Sequence, residues 1–290
     1  MKRWRYCLMA AALVAAQFAS AQEHKQTVQE FLNSLHYQTG TVAVRGAHST
    51  LALNEDFRYL DAADAQRVLE QLWGNPPDSS VLGMLVPAKT PLGEHGAWAV
   101  VITYSDDGHV SDADAAKIDY TQMLKDMQAS AHDANAERIK AGYDSVEIVG
   151  WAAPPHYDSA SNKLYWAKEI EFGGKPRHTL NYDIRILGRG GYLSLNAISS
   201  MDQLPMVQDQ MQKVLTMTNF DAGQRYADFN ASTDKIAAYG IGALVAGTLA
   251  AKAGLFAKLL ALLIAFKKAI VVGFLAAVAA VKKLFSRRST

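Results

Sequence analysis

Between residues 163 and 198 the chain alternates apolar and polar positions in three runs, separated by short glycine-bearing turns. The run 163–172 puts Leu164, Trp166, Ile170 and Phe172 on one side; the run 178–187 does the same with Leu180, Tyr182, Ile184 and Ile186; the run 192–198 returns. A period of two is that of a half-buried strand. Gly173-Gly174-Lys175-Pro176 and Gly188-Arg189-Gly190-Gly191 are too short for a crossover, so neighbouring runs pair antiparallel. The prediction is a meander with one buried and one wet face. A strand over 145–152, broken by Pro154-Pro155, precedes it. After it, Val207, Met211, Val214 and Leu215 recur at helical spacing in 204–218, a helix fit to cover the sheet.

Upstream, 27–36 reads as a short helix ended by Gly40, and 41–44 with 49–53 as a hairpin around Arg45-Gly46-Ala47, extended by 57–60. Asp61 caps a helix over 61–73 that Gly74-Asn75-Pro76-Pro77 stops. Strands over 81–86 and 97–104 lead to a turn at Asp106-Asp107-Gly108. Two helices follow: 111–127, capped by Ser111 or Asp112, and 132–141, ended by Gly142. Strands mixed with helices, without repeats, predict one α+β domain over 22–220 and a linker over 221–235.

The two ends are of another kind. Lys2, Arg3 and Arg5 precede a short apolar run, and Ala19-Ser20-Ala21 fits a cleavage site, so 1–21 reads as a signal peptide. Its cleavage removes Cys7, the only cysteine, leaving no disulfide and no thiolate. Residues 236–281 are almost wholly apolar and hold no acid. The stretch 236–257, preceded by the potential caps Ser232, Thr233 and Asp234, is long enough for a transmembrane helix. Ala238, Gly242, Ala246 and Ala250 recur every four residues in it, a spacing that lets helices pack closely, by self-association or against another membrane protein. Lys267-Lys268 divides the remaining 258–290, so the anchor is one span with a basic tail or a helical hairpin in the lipid bilayer.

Charge sharpens this division. With the eight basic residues of 236–290 and Lys2, Arg3 and Arg5 set aside, 18 of the 29 Lys and Arg remain against all 28 acids, so the block 22–235 carries about −10. Such a block is a poor partner for nucleic acid.

Candidate chemistry is sparse. His156, Asp158, Glu169 and Asp183 are the residues able to do acid–base work or hold a divalent metal if the sheet gathers them, though their spacing matches no metal signature. Asn181, Arg185 and Asn196, with Lys163, Glu171 and Ser194, fall on the expected wet face as a possible binding patch, against the alternative of ordinary solvated ion pairs. The glycine loop 188–191 joins two strands and is a turn, not a phosphate cradle. Asp106, Asp107, Asp112 and Asp114 lack the ligand spacing of a calcium loop. No Gly-x-Ser-x-Gly elbow is present, and no cofactor is expected.

Trp73-Gly74-Asn75-Pro76-Pro77, Gly150-Trp151-Ala152-Ala153-Pro154-Pro155-His156-Tyr157-Asp158, Leu164-Tyr165-Trp166-Ala167-Lys168, Leu187-Gly188-Arg189 and Asp234-Lys235-Ile236-Ala237-Ala238-Tyr239-Gly240 together resemble the bacterial membrane-anchored proteins grouped as domain of unknown function 2167. The resemblance implies an exported domain with a C-terminal anchor and brings no activity with it. The expected function is therefore partner binding or sensing in the bacterial envelope, with the domain outside the inner membrane. The alternatives are a tethered hydrolase or metal-dependent enzyme, and an accessory subunit of a membrane transporter.

Overall fold

The computed structural model describes residues 27–94 and 96–246. The expected signal peptide, Ala250 and the segment 258–290 lie outside the described residues. Two units divide the chain, Met1–Leu35 and His36–Thr290. In the first, α1 (Val28–Asn33) starts on a reciprocal cap: Thr27 Oγ1 accepts from the Glu30 amide at 3.2 Å, and Glu30 Oε2 accepts from the Thr27 amide at 2.8 Å.

The second unit opens with the predicted hairpin, β1 (Thr41–Val44) and β2 (Ser49–Ala52). Next come β3 (Phe57–Asp61) and α2 (Ala62–Arg67), which Asp61 caps through the Asp64 amide at 3.1 Å. A π-helical turn, Val68–Leu72, finishes that helix at Trp73. Then follow β4 (Val81–Pro87), β5 (Ala99–Ser105), β6 (His109–Ser111) and α3 (Tyr120–Lys140). The meander is β7 (Val146–Asp158), β8 (Lys163–Phe172), β9 (Thr179–Leu187) and β10 (Tyr192–Ser200). Finally come α4 (Leu204–Met217), β11 (Thr218–Phe220), β12 (Ile236–Gly240) and α5 (Gly242–Ala246). The main sheet has seven antiparallel strands in the order β3-β4-β5-β10-β9-β8-β7; β11 joins the β1–β2 hairpin, and β12 pairs in parallel with β6. The architecture is α+β with an antiparallel meander, as expected.

Four expectations change. First, β7 runs through Pro154-Pro155 instead of stopping there. It is the edge strand, and its register slips between Trp151 and Ala153 and again between Ala153 and His156. A proline that cannot donate to a ladder is tolerated at an edge or a bulge.

Second, the two helices expected over 111–141 are one, and it starts later. Asp119 caps α3 by accepting from the amides of Thr121 and Gln122, both at 3.0 Å. Its polar middle has a use that an apolar stripe does not reveal, because it lies along the free edge of β7. Gln128 Nε2 donates to the carbonyls of Ile148 at 2.9 Å and Val149 at 3.2 Å. Asn135 accepts from the Val146 amide at 2.7 Å and donates to its carbonyl at 3.1 Å. Side chains thus close the edge that would otherwise invite another strand.

Third, the sheet has no wet face over the meander. In the register of β8 on β9, Trp166 faces Asp183 and Ala167 faces Tyr182. The apolar set Leu164, Trp166 and Ile170 therefore lies on the opposite face from Leu180, Tyr182, Ile184 and Ile186. A one-residue offset between two apolar patterns gives each face an apolar half. One face packs under α4, with Leu180, Ile184, Leu193 and Leu195 meeting Val207, Met211 and Val214. On the other, Leu164, Trp166, Leu187 and Tyr192 meet Val110, Ala237, Ile241 and Leu244.

Fourth, the residues expected to open the membrane helix do not form one. Ile236–Gly240 is β12, with Ala237 buried and Ile236 and Ala238 turned outward. Gly242 and Ala246 belong to the short α5, so Ala238 shares no helix with them. A short run of apolar residues such as 236–240 suits a strand as well as the start of a span, and its partner β6 decides between them. Among the described residues no helix is long and apolar enough to cross a membrane. The expected linker is likewise held in place, by contacts described below.

Candidate functional site

The structure gathers part of the predicted patch. Asn181, Asp183 and Arg185 stand on one side of β9, and Asn196 faces Asp183 from β10. Register adds Lys168 of β8 to this face, a residue that the alternation had set among apolar neighbours. Arg185 donates to Asp183 Oδ1 at 3.1 Å, and Lys168 Nζ lies 3.5 Å from Oδ2. The Arg185 guanidinium sits over the Trp166 ring, 4.8 Å from its centroid. The three charged side chains are 4%, 16% and 18% exposed for Asp183, Arg185 and Lys168, so this is an interior ion cluster, not a wet patch. Asp183 Oδ2, Arg185 Nε and Trp166 Nε1 make no hydrogen bond among the described residues. Of the two cations about this carboxylate, Arg185 comes from β9 itself and Lys168 from β8, so the Lys168–Asp183 pair is the charged link between the two strands in this register.

The predicted acid–base set does not assemble. Glu169 faces Leu180, on the opposite side of the sheet from Asp183, and pairs with His178 Nδ1 at 2.6 Å. Asp158 lies in the β7–β8 turn, where the Ser161 hydroxyl at 2.5 Å and the Ala160 amide at 3.0 Å hold its carboxyl below the usual carboxylate range. His156 is exposed and borders a hollow of about 300 Å³ with Tyr165, Tyr182 and Gln208, without those carboxylates. Among the described residues no three His, Cys, Asp or Glu side chains are grouped to hold a metal.

At the β9–β10 turn end of the sheet, Asp107, Asp114 and the Arg189–Asp234 pair fasten the segment 221–246 to the domain. Arg189, from the glycine turn, grips Asp234 with Nε at 2.7 Å and one terminal nitrogen at 2.9 Å. Those bonds, with the Asn230 amide, hold the Asp234 carboxyl far below its ordinary range. Tyr239 donates to Asp107 at 2.6 Å, Tyr157 donates to Asp112 at 2.9 Å, and the Ile241 amide donates to Asp114 at 3.2 Å. Burial, then the acceptor carboxylate, raises the pKa of both tyrosines. His109 is sandwiched between Tyr226 and Phe229, at centroid distances of 4.3 and 3.9 Å, and burial lowers its pKa. Gly108, at φ +114°, sits where a Cβ would come within 2.8 Å of the backbone at Lys235 and Ile236.

At the opposite end of the same face lies a cavity of about 370 Å³ that the sequence reading missed. Trp73, Gly74 and Asn75 form one wall, and the Asn75 amide and side chain fix that loop to the Leu69 carbonyl at 2.9 and 3.3 Å. Arg138 and Tyr143, at the end of α3, and Asp144 form a second wall. Phe172, Lys175, Arg177 and Thr179 come from the β8–β9 turn and its strands, and Ile198 from β10. Arg138 Nε donates to the Asp144 carbonyl at 3.1 Å, and Lys175 donates to the Asp144 carboxylate at 2.6 Å. Arg177 also borders a neighbouring hollow of about 330 Å³ with Glu94, Ser200 and Asp202. Its signal in the sequence was there, an aromatic before a Gly-Asn-Pro-Pro stop and a Lys-Pro-Arg turn. Those residues are about 100 positions apart, and only the fold brings them together.

Residues 10–278 match the family described as "Protein of unknown function (DUF2167)". The chain belongs to this family. Two stretches that carried the resemblance have places in the structure: Trp73-Gly74-Asn75 supplies a cavity wall, and the fastened strand lies within Asp234–Gly240. No curated protein matches the chain. Among solved structures it is similar to cyanobacterial PsbP (CyanoP) from Synechocystis sp. PCC 6803, at 11% identity over 62% of this chain and 91% of that one, with a TM-score of 0.35. It is also similar to LpqN of Mycobacterium tuberculosis, involved in cell envelope biogenesis (16% identity, 67% and 96% covered, TM-score 0.31). A third is the Saccharomyces cerevisiae Ran-binding protein Mog1p (10%, 68% and 100%, TM-score 0.32). Likeness at these scores says nothing of what this chain binds.

Proposed function

We propose that this DUF2167 member is a binding or sensing protein of the bacterial envelope, exported by residues 1–21 and held at the inner membrane by the apolar residues after α5. In this reading the anchor begins near residue 247, not at Ile236, and the basic tail Lys282-Lys283 with Arg287-Arg288 stays on the cytoplasmic side. The observation that carries the reading is the fastening of 221–246. An exposed domain on a slack linker needs no such clamp. Here Arg189–Asp234, Tyr239–Asp107 and the β6–β12 pairing hold the chain against the domain into the first residues of the long apolar stretch. That arrangement suits a domain that must keep a set orientation at a surface.

The test is extraction of membranes from cells making the full chain. Alkaline carbonate leaves the protein in the pellet, and deletion of 247–290 moves it to the soluble fraction. A full chain that washes off with carbonate sinks the tether. A reporter fused after residue 290 that is active only outside the cytoplasm sinks the single-span arrangement and leaves the hairpin.

A further inference from the structure

The cavity at the far end of the sheet is built unlike the rest of the domain. The block 22–235 carries about −10, yet Arg138, Lys175 and Arg177 line this hollow with a single carboxylate, that of Asp144, a local balance of about +2. The donors are far from used up. A guanidinium has five N–H groups and an ammonium three. Arg138 gives one bond to the Asp144 carbonyl, Lys175 gives one to its carboxylate, and Arg177 makes none among the described residues. Trp73, Tyr143 and Phe172 line the same space and are each only part-buried. The Arg138 guanidinium lies over the Tyr143 ring, 5.9 Å from its centroid, so Trp73 and Phe172 are the rings that offer stacking, beside cations that offer charge-assisted hydrogen bonds to the same molecule. The volume, about 370 Å³, is near the small end for ligand sites.

We propose that this cavity binds a small soluble anion built on one ring, a carboxylate or phosphate ester, with the ring against Trp73 and its neighbours and the anionic group on Arg177, Lys175 and Arg138. This deepens the binding half of the function proposed above and is independent of the tether. Failure of carbonate resistance would remove the tether and leave the cavity's chemistry standing.

The test uses the full chain in neutral detergent and titration calorimetry, with phenyl phosphate and benzoate as anionic ring probes. Inorganic phosphate, benzyl alcohol and vesicles of phosphatidylglycerol serve as comparisons. The expected result is saturable binding of a ring anion at least ten-fold tighter than inorganic phosphate, none with benzyl alcohol, and weakening as salt rises. Lys175→Ala with Arg177→Ala lowers affinity ten-fold or more, and Trp73→Ala lowers it while leaving inorganic phosphate unchanged. Lys175 and Arg177 are exposed, so the double variant keeps the parent unfolding curve, which separates lost binding from lost fold. Absence of saturable binding to both ring anions overturns the proposal. So does affinity that the double variant leaves unchanged, or binding to the vesicles alone.

Discussion

The two ends of one sheet face use charge in opposite ways. Where the chain folds back toward its C-terminal apolar stretch, Asp107, Asp112, Asp114 and Asp234 each have a tyrosine, an arginine or a backbone amide from a distant segment. At the other end three cations share a hollow with one carboxylate, and the part-buried rings of Trp73 and Phe172 stand beside them. Between the two lies the buried ion cluster on Asp183, one carboxylate against two cations. Matched, short, charge-assisted bonds build structure, whereas surplus donors at a hollow build an opening for something else. The acidic composition of the domain gives no hint of this division, because the net charge averages over a hollow whose own surplus is positive.

The comparison breaks most directly at its centre. Asp183→Ala leaves Lys168 and Arg185 without their buried counter-charge, and denaturant unfolding of the full chain in detergent is expected to show a loss of about 3–5 kcal/mol. Equal stability of the variant would mean that the cluster is solvated and that the interior between the two ends does not depend on it. Next in size is Gly108→Val, which forces a branched side chain into positive φ and against the backbone at Lys235. The expected cost is about 1–3 kcal/mol, with new proteolytic cleavage within residues 230–240 as its local signature. Tyr239→Phe deletes a single bond to Asp107 and should cost about 0.5–1.5 kcal/mol.

His109 sharpens the fastened end through pH. Its folded pKa lies below the unfolded value, so the fold gains from a neutral ring. That gain is complete above about pH 6.5 and is lost as pH falls toward the folded value. Hydrogen bonding to the backbone at Arg189 and Gly188, and after it the charges of Asp112 and Asp234, pull the other way and moderate the loss. Unfolding midpoints should therefore drop between pH 7.5 and 5.5, and His109→Gln should flatten that difference. The smallest expected effect is at the open end, where Arg177→Ala changes stability by no more than about 0.5 kcal/mol. A large loss there would show that Arg177 is spent inside the fold, and the contrast between the two ends would disappear.

Much of the architecture was legible because it is local. The alternation over 163–198 and its glycine turns named three strands almost to the residue, and the stripe of Val207, Met211 and Val214 named the helix that covers them. What failed depends on pairing between distant segments. The phase of β8 against β9 turned an expected wet face into an interior, and took Glu169 away from Asp183 while bringing Lys168 to it. The strand at Ile236–Gly240 was unreadable because five apolar residues before a long apolar stretch satisfy either period. Asn135 and Gln128 looked like gaps in an amphipathic helix, since nothing local announces an edge strand to be closed. The cavity was missed for the same reason, its walls coming from four separated stretches.

The parallel pairing of β12 with β6 has a mechanical consequence. A pull on the chain beyond Val245, directed along β12, acts in line with that strand, so its hydrogen bonds must slip together in shear instead of opening one after another. Asp234 stands upstream of the strand in the grip of Arg189, which roots the segment on the β9–β10 turn of the main sheet. Force applied at the C-terminal end is thus delivered into the seven-stranded sheet through two joints in series, and the segment 221–246 behaves as a strut, not a leash.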